Sequence, residues 1–167
     1  IEPTDGIFYP GIVQMNYMTG ELIKSYGNAP KMIIAMFDMG GSINTVEFHS
    51  EYHGHEDSPK ELLEAIDKLD VDFSPRQIAH VATLSALANQ KLVPKPHLEE
   101  IIKYSATLGA LGVNVAHSGT MVGVLFAPDE SMKHVMEAVE KIREKFPELE
   151  YFETERLISG GYDIEQR

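Results

Sequence analysis

The chain of 167 residues contains no cysteine. That absence excludes disulfides, thiolate zinc centres and a cysteine nucleophile, and it removes the usual sequence sign of secretion. Basic residues are scarce as well: 14 Lys and Arg stand against 26 Asp and Glu, a formal net charge of −12. Proteins that track nucleic-acid phosphates gather Lys and Arg on the contact face, so that class is excluded, and an anionic ligand here needs a local site built from backbone donors. No apolar run approaches the ~20 residues of a membrane-spanning helix, and no basic stretch followed by an apolar one reads as a signal peptide. The expectation is a soluble protein of a reducing cytoplasm, with one core and no repeats or low-complexity tract.

What is present is a regular succession of elements. The chain opens without methionine on Glu2-Pro3-Thr4-Asp5-Gly6, a turn-forming stretch that ordinarily joins two elements, so a preceding segment is expected. Gly11 to Tyr17 and Glu21 to Lys24 flank Thr19-Gly20 as the arms of a β-hairpin. Lys31 to Phe37 is an apolar run without helical spacing, hence a buried strand, and a further extended piece is expected over Thr45 to His49. Ser58-Pro59-Lys60-Glu61 is a capping box ahead of Leu62, Leu63, Ile66 and Leu69 at helical spacing. Ser74-Pro75-Arg76-Gln77 repeats that signal before Ile78, Val81, Leu84, Leu87 and Ala88. Pro96 opens a third helix with Leu98, Ile101, Ile102, Ser105 and Leu108 on one face, ending near Gly109. The period then falls to 2: Gly112 to His117 and Met121 to Ala127 read as strands joined by a tight loop. Asp129 or Ser131 caps a fourth helix carrying Met132, Val135, Met136, Val139, Ile142 and Phe146, stopped by Pro147, and Leu149 to Ile158 is the last strand. From residue 31 the order is strand, helices, strand, strand, helix, strand. This is the split βαβ arrangement of ferredoxin-like domains with extra helices in the first crossover, so the fold class is α+β.

Four segments carry side chains suited to chemistry. Ala116-His117-Ser118-Gly119-Thr120, continuing to Gly123, lets consecutive backbone N–H groups turn inward as an anion nest with the Ser118 and Thr120 hydroxyls as further donors. A plain hairpin turn accounts for the same residues. His117 beside Ser118 does not make a hydrolytic pair, since strand neighbours face opposite ways and no G-x-S-x-G elbow is present. In Glu2 to Gly6, Asp5 is a carboxylate on a proline-fixed turn, suited to accepting a proton from a substrate hydroxyl; a simple turn is the alternative. Asp38-Met39-Gly40-Gly41-Ser42-Ile43-Asn44-Thr45 follows a buried strand, and its paired glycines admit close approach of a ligand or mark a surface loop. His49 to Asp57 holds several imidazoles and carboxylates, but Gly54 interrupts the His49 and His53 spacing and no second ligand pair matches. A solvated polar loop, not a metal site, is expected there. Met132 and Met136 are expected in the core, and Glu137, Glu140, Glu144 and Glu148 on a solvated helix face.

Taken together, Glu2-Pro3-Thr4-Asp5-Gly6-Ile7 with Tyr9-Pro10-Gly11, Asp38-x-Gly40-Gly41-x-x-Asn44-Thr45-Val46, and Ala116-His117-Ser118-Gly119-Thr120-x-x-Gly123 resemble the GHMP-superfamily kinases. Within them they are similar to the L-threonine kinase branch linked to propanediol utilisation and cobalamin synthesis. The resemblance covers essentially the whole chain in order and spacing, with Asn44 where relatives commonly carry aspartate. It implies a GHMP kinase C-terminal domain of ferredoxin-like fold over residues 29–167. Residues 1–28 would then be the end of an N-terminal kinase domain, an active-site turn followed by the hairpin arm. It implies that His117, Ser118, Gly119 and Thr120 form the glycine-rich third motif facing phosphates and acceptor. Thr4 and Asp5 would lie at the acceptor hydroxyl with Asp5 in the catalytic position, and Asp38, Gly40, Gly41, Asn44 and Thr45 would form a ligand loop. The Pro-x-Ser-Ser-Gly-type motif that wraps ATP phosphates has no counterpart in the chain. The resemblance therefore implies an intact enzyme that uses ATP and Mg2+ to convert L-threonine to O-phospho-L-threonine. This chain alone would be nearly inactive and would bind neither tightly. Expected partners are a small-molecule substrate, with no nucleic acid and no membrane, and a second copy through the hairpin edge, since unpaired strand edges template association. A homoserine kinase, or a ferredoxin-like metabolite-binding module without catalysis, is the alternative.

Overall fold

The protein is described here by a computed structural model covering residues 9–15, 21–41, 59–91, 93–116 and 119–160. Among these residues β1 (Ile12–Met15) and β2 (Leu22–Gly27) form an antiparallel pair of their own. A four-stranded sheet takes β3 (Ile33–Asp38), β4 (Gly112–Val115), β5 (Met121–Phe126) and β6 (Glu150–Arg156) in the spatial order β4-β5-β3-β6. Every neighbouring pair in it is antiparallel. Between β3 and β4 run α1 (Lys60–Asp67), a 3-10 turn over Lys68–Asp70, α2 (Pro75–Asn89) and α3 (Leu98–Thr107); α4 (Met132–Lys145) joins β5 to β6. The α+β class and the split βαβ order are those the sequence predicts. β2 runs past Lys24 to Gly27, and the extended piece over 45–49 lies outside the described residues.

One face of the sheet makes the main core. Ile33, Ala35 and Phe37 alternate along β3, as a two-residue side-chain period requires, and with Val122, Val124 and Phe126 of β5 they meet Leu98 and Ile101 of α3 and Val135, Val139 and Ile142 of α4. These residues are all within 1% of complete burial. On the other face Leu125 and the half-buried Ile34 pack with Met32 and with Ala79 of α2. α2 also closes the β4 edge. The Val113 N–H donates to the Thr83 hydroxyl at 2.9 Å, and that hydroxyl donates to the Ala79 carbonyl at 2.8 Å, so the helix satisfies a ladder donor that an open edge would leave unpaired.

The helix starts follow their sequence signals with three departures, the first at α3, which begins at Leu98 after His97 (φ 57°) and not at Pro96. Ser74 Oγ accepts from the Gln77 N–H at 3.2 Å, but the Gln77 amide donates to the Ala65 carbonyl at 3.0 Å instead of reaching back, so this box is half made and its other half fastens α2 to α1. Before α1, Pro59 is the cap residue itself, with no side-chain cap bond, and the helix begins at Lys60. Ser131, not Asp129, caps α4 through the His134 N–H at 3.1 Å. Two apolar positions expected inside are outside: Met132 is 44% exposed and Leu63 48%. Met132 is the first residue of α4, beyond the reach of the sheet, whereas Met136, one turn on, packs against the core as expected. α2 also differs in kind. Its buried positions are Ala79, Ala86 and Asn89; the helix comes close to β4 where Ala79 meets Gly112, which favours a small side chain there, while Ile78, Val81, Leu84 and Leu87 are half-buried around it. Glu137, Glu140, Glu144 and Glu148 are exposed, as expected.

Candidate functional site

The two central strands bring two of the candidate loops together. The antiparallel register of β3 and β5 sets Asp38 opposite Met121. Beyond the strand ends the ladder continues, with the Met39 N–H donating to the Thr120 carbonyl at 3.1 Å. The Ala116 N–H donates to the Met121 carbonyl at 2.9 Å and closes the base of the β4–β5 loop. The loop after β3 and the loop between β4 and β5 therefore lie side by side at one end of the sheet.

Asp38 is the polar centre of this end. Its carboxylate accepts from the Gly40 N–H at 2.9 Å. The nearby Thr120 hydroxyl first, and the Gly40 N–H second, hold the carboxyl below the usual aspartate range, because both stabilise the charged form. Gly40 and Gly41 have φ of 71° and 86°, the left-handed region that L side chains rarely enter, and both are exposed, with the Gly40 N–H taken by Asp38. Gly119 sits in a tighter place, where an added Cβ would lie 3.1 Å from the Ala116 Cβ. Gly123 is a buried residue inside β5 and no part of the loop. A Cβ there would meet Asn114 Oδ1 at 2.2 Å, so its lack of a side chain makes room for the exposed Asn114 amide on the neighbouring strand.

Of the residues singled out from the sequence, Asp38, Gly40, Gly41, Gly119 and Thr120 are thus brought to one place. Thr4, Asp5, Asn44, Thr45, His117 and Ser118 lie outside the described residues, as does the segment His49 to Asp57. Among the described residues no group of three or more His, Asp or Glu side chains is placed to hold a metal ion, and no helix is long and apolar enough to cross a membrane.

Two features had no sequence signal. Lys95 is 5% exposed, its Nζ is buried without a hydrogen-bond partner, and burial lowers its pKa. Its backbone is clamped by the Gln90 amide, which accepts from the Lys95 N–H at 2.6 Å and donates to the Lys95 carbonyl at 3.0 Å. A lysine between two prolines carries no periodicity to mark it as interior. The second feature is a cavity of about 130 Å³ between α2, α3 and the start of β4, lined by His80, Thr83, Ser105 and Gly112 among others. It lies at the end of β4 away from the Gly119–Thr120 loop, and the Thr83 and Ser105 hydroxyls both donate inward to helix carbonyls.

The family model described as GHMP kinases C terminal matches residues 62–145, from within α1 to the end of α4. The chain belongs to this family. An L-threonine kinase of Citrobacter freundii is 23% identical over 176 residues, covering 99% of this chain and 59% of the relative. An L-threonine kinase of Salmonella typhimurium is 22% identical over 130 residues, covering 75% of this chain and 43% of the relative. This GHMP kinase C-terminal chain therefore spans 59% or less of the length of these two relatives. Among solved structures it is similar in fold to L. major mevalonate kinase, with a TM-score of 0.59 and 16% identity over 85% of this chain and 47% of that one. It is likewise similar to a homoserine kinase from Cytophaga hutchinsonii, with a TM-score of 0.54 and 15% identity over 92% of this chain and 49% of that one.

Proposed function

We propose that the protein containing this chain is an ATP-dependent small-molecule kinase that phosphorylates the side-chain hydroxyl of L-threonine to give O-phospho-L-threonine. The observation that carries the reading is the meeting of two glycine-bearing loops, Asp38 to Gly41 and Gly119–Thr120, at one end of the sheet in a GHMP kinase C-terminal domain. Two relatives named L-threonine kinase, one aligned over 99% of this chain, supply the acceptor. In the reaction the acceptor oxygen forms a bond to the γ-phosphorus as the bond from that phosphorus to the ADP oxygen breaks, and the hydroxyl proton leaves to a base. Phosphoryl transfer rests mainly on positioning and charge stabilisation. In this reading the backbone of Ser118, Gly119 and Thr120 steadies the transferred group, and Asp5 orients the hydroxyl and takes its proton.

ATP arrives with Mg2+, which neutralises phosphate charge. In this reading the loop backbone at Gly119, with its N–H groups turned inward, contributes on the phosphoryl side. We assign residues 1–28 to the end of the preceding domain and 29–167 to the C-terminal domain, and we expect the chain alone to turn over poorly because the resemblance puts the main ATP cradle outside it. Self-association through the β1–β2 edge belongs to the same reading, and sedimentation of the full-length protein tests it. The alternative acceptor to set against threonine is homoserine. Coupled ADP release by the full-length protein across threonine, serine and homoserine decides between them. The highest kcat/KM is expected with threonine, and Asp5→Ala should lower kcat by about a hundredfold or more. A preference for homoserine would replace the acceptor, and wild-type turnover in Asp5→Ala would remove the role of that carboxylate.

A further inference from the structure

We propose that Asn114 is a specificity residue whose amide oxygen accepts from the α-ammonium group of the acceptor, so that this face of the sheet selects a vicinal amino alcohol. The inference rests on the phosphoryl-transfer reading above and deepens it, since it names what the domain recognises in the acceptor besides the hydroxyl. Strand pairing sets Asn114, Gly123, Met36 and Glu153 in one row across the sheet, and residues directly opposite one another share a face. It is the face turned away from the main core, since Val113 and Val115 on either side of Asn114 are buried there while Asn114 is exposed. α2 covers the next row, where Ala79 packs with Leu125, and Asn114 lies on the side of that row toward the glycine loops. Asparagine is depleted in strands, and this one makes no hydrogen bond among the described residues. Its side chain leans over Gly123, where a Cβ would meet Oδ1 at 2.2 Å, so the amide is turned from β4 toward β3.

Charge decides which group the amide meets. On this face β3 and β6 carry the carboxylates of Asp38 and Glu153, and none of the residues that share it in the four strands is Lys or Arg. Such a face attracts an ammonium group and repels a carboxylate, and an amide oxygen accepts with two lone pairs. Distance decides how far that group lies from the hydroxyl. Asn114 is two residues from Ala116, whose N–H closes the base of the Gly119–Thr120 loop on the Met121 carbonyl, so it stands about 7 Å along the strand from the loop. A hydroxyl at the loop, the two carbons leading to a vicinal ammonium group and one hydrogen bond of about 2.9 Å span that length. Threonine and serine have this spacing, whereas homoserine carries its hydroxyl one carbon further away.

The test is steady-state kinetics on the full-length protein with Asn114→Leu, Asn114→Asp and Asn114→Lys. Asn114→Leu should raise KM for L-threonine about tenfold while KM for ATP stays within about twofold. Asn114→Asp keeps an acceptor and should stay within about threefold of the wild type, whereas Asn114→Lys repels an ammonium group and should raise KM about a hundredfold. As a competitor of threonine, 3-hydroxybutanoate, which has the hydroxyl and no amine, should inhibit the wild type and Asn114→Leu equally. Wild-type KM in Asn114→Leu, unequal inhibition, or a greater loss in Asn114→Asp than in Asn114→Lys overturns the assignment, the last because it would put the acceptor's carboxylate at this amide. The side-chain amide resonances of Asn114, followed as L-threonine is added without ATP, read the contact without turnover and should shift saturably. Such a shift in a protein that made no phosphothreonine would uphold the ammonium site while the kinase reading fell, and resonances unmoved by threonine would overturn the site whatever the activity.

Discussion

The β1–β2 pair and the four-stranded sheet are both antiparallel, yet they are held by different means. No residue of β1 or β2 is fully buried, and Leu22 and Ile23 are 41% and 59% exposed. The contacts that tie the pair to the helices include an ion pair between Lys24 and Asp70 and the stacking of Tyr26 on Phe73, ring centroids 6.0 Å apart. The larger sheet buries β5 from Val122 to Phe126. Hydrogen bonding between strands is common to both regions. What separates them is apolar area removed from water, worth roughly 25 cal/mol per Å², and an exposed ion pair does not replace it.

The largest expected effect is at Phe126, which is completely buried at the far end of β5. Phe126→Ala should lower unfolding stability by about 3–5 kcal/mol in denaturant titration, and a loss as small as that of a surface change would break the contrast. Next comes Gly112, where a Cβ would lie 2.4 Å from the Ala79 carbonyl oxygen and 2.5 Å from Thr83 Oγ1. Gly112→Ala should cost about 1–3 kcal/mol by pushing α2 off the β4 edge.

Lys95 sharpens the comparison from the other side, as a polar group in the packed half that costs stability. Lys95→Met should raise stability by about 1 kcal/mol near neutral pH. The sign follows from the lowered pKa: between the folded and unfolded values the unfolded chain binds more protons, so the wild type gains stability as pH rises. The advantage of Lys95→Met should accordingly shrink toward alkaline pH, and a constant difference would point to packing alone. The smallest effect is at Lys24. Lys24→Ala should leave the thermal midpoint of the larger sheet unchanged and speed amide exchange in β1 and β2 only. A drop in that midpoint like that of Gly112→Ala would show that the two regions unfold as one.

Much of this organisation was legible in the sequence, and the reasons differ by element. Alternation along β3 and the 3.6 spacing of Val135, Val139 and Ile142 point to the core because burial repeats with the backbone period. The meeting of Asp38 with Thr120 depended on sheet order, which the split βαβ succession implies but local pattern does not state; each loop on its own reads equally well as a turn. The buried face of α2 was missed because it is built on Ala79 and Ala86, which a search for large apolar residues passes over. Gly123 was read as part of a phosphate loop, since spacing cannot distinguish a glycine that frees a backbone from one that makes room for Asn114. Lys95 had no signal at all, as its burial comes from the Gln90 clamp and the flanking helices.

The central claim is phosphoryl transfer to threonine by a protein of which this chain forms the C-terminal kinase domain. Phosphorus NMR of MgATP with L-threonine, run with the full-length protein and in parallel with residues 1–167, tests it directly. A phosphothreonine signal from the full-length protein and almost none from the chain is the expected result, whereas a folded full-length protein that leaves ATP and threonine unchanged contradicts it.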